Sequence, residues 1–141
     1  MAALNIESDY PSSLQAFLDL CHAKGQTRPT PLLLKYKAGD YNCLHQDLYG
    51  DIVFPFQVIV SLSQPGVEYE GGELLLVEQQ PRAQSIGHVL RPAIGEAVVI
   101  TTRCRPAEGK RGYYRSNMRH GVSPLKSGER FTLGVIFHDG K

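Results

Sequence analysis

The chain has 141 residues, 42% of them hydrophobic, and its 15 Lys and Arg against 14 Asp and Glu give a formal net charge of +1. That length suits one domain able to bury roughly two thirds of its extended-chain surface, and so even a charge excludes a general electrostatic pull toward one class of partner. No apolar run approaches the ~20 residues of a membrane helix, and the amino terminus lacks the basic-then-apolar pattern of a secretion signal, so no membrane partner is expected.

Residues Ser12 to Lys24 carry Leu14, Phe17, Leu18 and Cys21 at helical spacing, and Gly25 stands where a helix commonly stops. One short amphipathic helix is predicted there. After Pro29 and Pro31, apolar stretches alternate with glycine or proline turns over 32–37, 42–48, 52–63, 73–78, 86–100, 116–122 and 130–138. Within 52–63, Phe54, Phe56, Val58, Val60 and Leu62 alternate with Pro55, Gln57, Ile59 and Ser61, the period of a strand with one packed face. The stretch 86–100 is long enough for two strands around Pro92 or Gly95, which brings the count to about eight and suits two sheets packed as a jelly roll. The expectation is a mainly β chain forming a single domain. A helical segment occupies 1–30 and the jelly-roll core 31–141.

The chemistry-bearing residues are His45-Gln46-Asp47, then His120, with Arg130 beyond it. In an extended strand, residues two apart project to the same side, so one strand can present His45 and Asp47 together while Gln46 points away. Two imidazoles and one carboxylate on one face of a metal leave open positions, the ligand set of non-haem Fe(II) oxygenases. A closed zinc site would want a fourth ligand and paired cysteines. Cys21, Cys43 and Cys104 are instead odd in number and widely spaced, which argues against a disulfide framework and for a reducing, cytoplasmic setting. A His-x-Asp triplet on its own also describes an ordinary histidine bonded to a carboxylate, so its surroundings have to decide.

Those surroundings are specific. Tyr36-x-x-Gly39, Leu44-His45-Gln46-Asp47, Gly71-Gly72-Glu73-Leu74, Gly95-Glu96-Ala97-Val98-Val99, His120-Gly121-Val122 and Arg130-x-Thr132 occur in one order over about residues 32 to 138. In this the chain resembles the Fe(II)/2-oxoglutarate-dependent dioxygenases, in their prolyl-hydroxylase-like and AlkB-like branches. The resemblance implies a double-stranded β-helix of cupin type, with His45, Asp47 and His120 as iron ligands. It also implies that Arg130 pairs with the distal carboxylate of 2-oxoglutarate and that the Tyr36 hydroxyl contacts the same cosubstrate. A guanidinium fork meets a carboxylate with two parallel bonds that a lysine cannot reproduce. Strand alternation puts Arg130, Thr132, Gly134 and Ile136 on one face, so Thr132 can help hold the anion. The implied reaction couples decarboxylation of 2-oxoglutarate to succinate, with O2 as second cosubstrate, to hydroxylation of a substrate. No separate catalytic acid or base is assigned.

Departures from the pattern bear on the substrate. AlkB-type nucleic-acid demethylases tend to carry an asparagine where this chain has Leu34 and a second arginine where it has Ile136, together with an amino-terminal lid. Only about thirty residues precede the first predicted strand here, as in a minimal enzyme or a fragment of one. The expected substrate is therefore a protein side chain or small metabolite. Alkylated nucleic acid is the second reading, and a non-catalytic jelly-roll binding module the third. The stretch from Arg103 to Arg119 holds Arg103, Arg105, Lys110, Arg111, Arg115 and Arg119 against Glu108, with Tyr113 and Tyr114 interleaved. It reads either as a solvated loop and strand face or as a surface for phosphate or an acidic substrate. His22, His88 and His138 stand outside any ligand pattern, and Tyr69 to Gly72 read as a turn near the site. Neither the residues nor the resemblance fixes an oligomeric state.

Overall fold

A computed structural model of the chain describes residues 10–110 and 112–141. Helix α1 (Leu14–Ala23) begins at Ser13, whose hydroxyl accepts the Ala16 amide at 3.2 Å. It ends as Gly25 turns the backbone to φ +76°, its amide donating to the His22 carbonyl at 2.9 Å. Phe17 and Cys21 form its buried face, and Phe17 meets Phe54 edge to ring and Tyr10 at a tilt of 44°. No helix among the described residues is long and apolar enough to cross a membrane.

Among the described residues ten strands follow, in two antiparallel five-stranded sheets. The first contains β1 (Leu32–Lys37), β3 (Phe56–Ser61), β4 (Tyr69–Gly71), β7 (Ala97–Thr101) and β10 (Leu125–Ile136), in the order β1-β10-β3-β7 with β4 beside the start of β10. The second contains β2 (Asn42–His45), β5 (Leu74–Gln79), β6 (Ile86–Leu90), β8 (Cys104–Gly109) and β9 (Gly112–Val122), in the order β2-β9-β5-β6 with β8 also on β9. The long strands β9 and β10 thread their sheets, and buried side chains from both sheets meet in two clusters. Tyr36, Tyr69, Val122 and Leu125 make one, and Ile59, Leu74 and Ile100 the other. The jelly roll expected from the sequence is the fold observed.

Several elements differ from expectation for identifiable reasons. The predicted strand 52–63 is β3 alone, and its buried face is Gln57, Ile59 and Ser61, while Phe56 is exposed. The interior of this roll is a partly polar cavity, so the more apolar side of the alternation turns outward. Where a loop and one strand were expected from Arg103 to Arg119, β8 and β9 pair in register from Cys104 opposite Asn117 to Gly109 opposite Gly112. Pro106 is tolerated in β8 because that strand pairs on one side only. Arg111 lies outside the described residues, as does the 1–9 portion of the predicted helical segment. Tyr69 to Gly71 pair with β10 as β4, and Gly72, at φ +61°, lets the chain pass where a Cβ would sit 2.4 Å from Leu125 Cδ1.

Candidate metal centre and anion pocket

His45, the last residue of β2, stands directly opposite His120 of β9, with the two ring centroids 4.3 Å apart. Gly121 makes that closeness feasible, since a Cβ there would lie 2.6 Å from the Asn42 carbonyl oxygen and collide with the β2 backbone. The expected strand 42–48 stops short of Asp47, and strand alternation is not what aims the carboxylate. The Gln46 amide instead donates to the carbonyls of Arg103 (2.7 Å) and Met118 (2.8 Å), and the Leu48 amide donates back to Gln46 O at 3.1 Å. The chain is thereby folded around Asp47 in a tight turn. Asp47 Oδ2 comes to 3.1 Å from His120 Nε2 and Oδ1 to 3.4 Å from His45 Nε2. One ligand atom from each of the three residues lies within 4.8 Å of the others.

The hydrogen bonds around this group ask for a cation at its centre. His45 Nδ1 donates to the Cys43 carbonyl at 2.7 Å, and a carbonyl can only accept, so the proton of a neutral ring sits on Nδ1. The Nε2 lone pair then faces a carboxylate, two acceptors together, unless a proton or a metal ion lies between them. The bond to Asp47 accordingly raises the His45 pKa above its ordinary value despite partial burial. Burial alone would raise Asp47, but hydrogen bonds from His120, His45 and Tyr49 outweigh it and hold the carboxyl well below the usual range. The Tyr49 hydroxyl donates to Asp47 Oδ1 at 2.6 Å, and burial beside that carboxylate pushes the phenol up to about 12. Gln57 Nε2 lies 3.5 Å from His120 Nδ1. An amide turned the other way would offer its oxygen to an Nδ1–H there.

Arg130, Thr132, Gly134 and Ile136 share the inner face of β10, as their alternation predicts, and line one cavity of about 310 Å³ together with His45, Asp47 and His120. Tyr36 of β1 is in register with Arg130 and lines the same cavity. Arg130 is 1% exposed, its guanidinium 5.3 Å from the Tyr36 ring and 6.0 Å from that of Tyr69. Among the described residues its Nε and Nη1 find no hydrogen-bond partner, and neither does the Thr132 hydroxyl. A buried cation left unpaired costs several kcal/mol, so this arrangement fits a carboxylate ligand. The residues thus suit both groups implied by the resemblance, a metal ion on the His-Asp-His set and an organic acid on Arg130.

Tyr49, Gln57 and Asn42 also line the cavity and escaped the sequence reading. Of the three other histidines, His22 and His88 lie elsewhere, while His138 packs beside Asp47 and Tyr49, its ring centroid 6.2 Å from that of Tyr49. His22 Nε2 is 2.8 Å from Asp139 Oδ2 and His88 Nε2 is 3.9 Å from Glu78 Oε2. His138 is fully buried with its pKa pushed down by desolvation.

A jelly roll that gathers two histidines, a carboxylate and an unpartnered arginine around one cavity has the architecture of a non-haem iron oxygenase. Residues 1–140 match the family model Oxygenase-NA, described as "Oxygenase, catalysing oxidative methylation of damaged DNA", and the chain belongs to that family. It is 54% identical over 138 residues to Uncharacterized protein MT2286 of Mycobacterium tuberculosis (strain CDC 1551 / Oshkosh), and equally to Uncharacterized protein Rv2227 of strain H37Rv. Each alignment covers 98% of this chain and 59% of the relative, so the chain spans about three fifths of the length of these relatives. Two solved structures share the fold. One is an oxidoreductase of the 2OG-Fe(II) oxygenase family from Burkholderia pseudomallei (TM-score 0.55, 21% identity, 78% of this chain and 43% of that one). The other is a Pseudomonas putida prolyl-4-hydroxylase (TM-score 0.54, 21% identity, 79% and 51%).

Proposed function

We propose that the chain is an Fe(II)- and 2-oxoglutarate-dependent oxygenase acting on an alkylated base of damaged DNA. The observation that carries the cofactor reading is the buried, unpartnered Arg130 beside Thr132 in the cavity that also holds His45, Asp47 and His120. His45, Asp47 and His120 would hold the metal, Arg130 and Thr132 the distal carboxylate of 2-oxoglutarate, and the Tyr36 hydroxyl the same cosubstrate. When bound, iron and cosubstrate supply an oxidant for a C–H bond, at the expense of O2 and with succinate and carbon dioxide as products. The protein's part is to fix the ligand tautomers, orient the acid and keep the site dry on its aliphatic walls, Leu34, Ile59, Leu74 and Ile136.

The nucleic-acid substrate, the second reading of the sequence, is supported by the family's description. That description speaks of methylation, whereas an oxidising centre removes a methyl group. Hydroxylation of an N–CH3 carbon gives an N–CH2OH group, which breaks at its C–N bond to leave N–H and formaldehyde. Hydroxylation of a protein side chain or small metabolite, the first expectation from sequence, stays as the alternative. It is favoured by the apolar Leu34 and Ile136, which both face the cavity. Three unpaired cysteines, Cys21, Cys43 and Cys104, support a cytoplasmic location.

The test supplies Fe(II), 2-oxoglutarate and a single-stranded oligonucleotide bearing N-methylated bases, and measures succinate and formaldehyde. Equal yields of both, abolished in Asp47→Ala, are expected. Succinate without formaldehyde would remove the demethylation reading, and no succinate with any substrate would remove the oxygenase reading and leave a binding module.

A further inference from the structure

We propose that the outer face of the β8–β9 hairpin is the track on which the flanking single strand of a DNA substrate lies, with phosphates on Arg115 and Arg119 and a base against Tyr113. This rests on the nucleic-acid reading of the site. In β9 the side chains alternate, so that Ser116 and His120 are buried while Tyr113, Arg115, Asn117 and Arg119 are exposed on the opposite face. The cross-strand neighbours of the two arginines carry no charge. Arg115 pairs with Pro106 of β8 and Arg119 with Val77 of β5. Among the described residues neither arginine has a carboxylate within salt-bridge reach, whereas Arg105, on the other face, is held by both oxygens of Glu78 at 2.8 Å. Glu108, in register with Tyr113, is the acidic residue of the hairpin.

Two further cations flank the hairpin at its ends. Lys110 is exposed at the hairpin turn. At the other end Arg103 is exposed, and its carbonyl accepts from both the Met118 amide (2.9 Å) and the side chain of Gln46. Arg119 directly precedes the candidate ligand His120, which pairs with His45, so the track ends at the strand segment that carries the metal centre. Four residue steps along the strand put Arg115 and Arg119 about 13 Å apart. That leaves room for Tyr113 and Asn117 to meet bases while the arginines meet the backbone, the mixture of cations and ring faces that holds single strands without reading their sequence. The base to be oxidised would be turned out of the strand at that end of the track.

The experiment is fluorescence anisotropy of a labelled single-stranded oligonucleotide with the full chain, at a series of salt concentrations. The slope of log K against log salt should fall in magnitude by about 1.4 in the Arg115→Ala/Arg119→Ala double variant, about 0.7 for each phosphate left without its arginine. The Arg115→Lys/Arg119→Lys variant should keep the slope. Tyr113→Ala should weaken binding roughly 5- to 150-fold with the slope unchanged, as loss of one stacked base does. Lys24→Ala, at the C-terminal cap of α1, should change nothing. An unchanged slope in the double alanine variant, an equal effect of Lys24→Ala, or wild-type binding insensitive to salt would each overturn the proposal. Oxidation of a methylated dinucleotide, too short to reach the hairpin, reports on the catalytic reading separately. A chain that oxidises the dinucleotide but shows no slope change keeps the reaction and loses the track.

Discussion

The Tyr49 hydroxyl and the Asp47 carboxylate form a 2.6 Å hydrogen bond between residues two apart in the chain, at the one candidate ligand that no strand positions. Oδ1 is engaged by the phenol, and Oδ2 is left facing His120. Outer hydrogen bonds of this kind commonly set ligand orientation, and removing one costs 10- to 100-fold in metal affinity. Tyr49→Phe keeps the ring that lines the cavity and removes only the donor. Fe(II) or Co(II) titration should show affinity reduced by roughly that factor, with the thermal transition little changed. Undiminished affinity would mean that the turn around Gln46 suffices to aim Asp47.

Arg130 offers a separate test of the anion pocket. Lysine in its place keeps the charge and loses the planar fork. The missing charged hydrogen bond, about 1.5–3 kcal/mol, predicts 2-oxoglutarate binding weakened roughly 10- to 100-fold. Metal affinity should stay near that of the wild type, because the guanidinium is no part of the His-Asp-His group. Calorimetric titration of each ligand separates the two effects. Equal weakening of both would indicate a disturbed fold.

The same contrast between strand geometry and turn geometry explains how much could be read in advance. Arg130, Thr132, Gly134 and Ile136 were legible because β10 is regular and alternation alone fixes its faces. His45 and His120 were legible as ligand types, and their registry follows from β2 and β9 pairing. Tyr49 and Gln57 were not, since nothing local distinguishes a tyrosine that bonds a neighbouring carboxylate from one in solvent, or a glutamine beneath a histidine from one on a surface. Strand β8 was hidden by Pro106 and its charged neighbours, a composition that only an edge position allows. The expected packing of 52–63 failed to anticipate Gln57 and Ser61 as inner residues, because a ligand cavity reverses the usual link between polarity and exposure.

Glu78 predicts the acid limb of stability. The carboxylate is buried on β5 and accepts two hydrogen bonds from Arg105 of β8, the largest cause of a pKa lowered from the ordinary 4.5. A depressed folded value means the contribution is fully present above pH 4.5 and is lost as pH falls through the folded value. Glu78→Gln should therefore cost about 2 kcal/mol at neutral pH. The gap between variant and wild type should close in acid. Melting temperatures measured from neutral pH down to strong acid check this, and a gap independent of pH would show that the pair contributes through packing alone.

Gly121 tests whether the two strands must touch for the histidines to meet. A methyl at that position would lie 2.6 Å from Asn42 O and 3.1 Å from the Cys43 carbonyl, both backbone atoms that cannot swing aside. Alanine must push β2 away from β9 at a cost of about 1–3 kcal/mol, as overpacking does. His45 moves with β2 and His120 stays with β9, so metal affinity should fall along with stability. Ile100→Ala provides the comparison. It empties a buried position on β7, in the other sheet, and should cost about 2–5 kcal/mol while leaving metal affinity intact. If Gly121→Ala loses stability but binds Co(II) as the wild type does, the β2–β9 approach is a packing requirement and His45 reaches the metal without it.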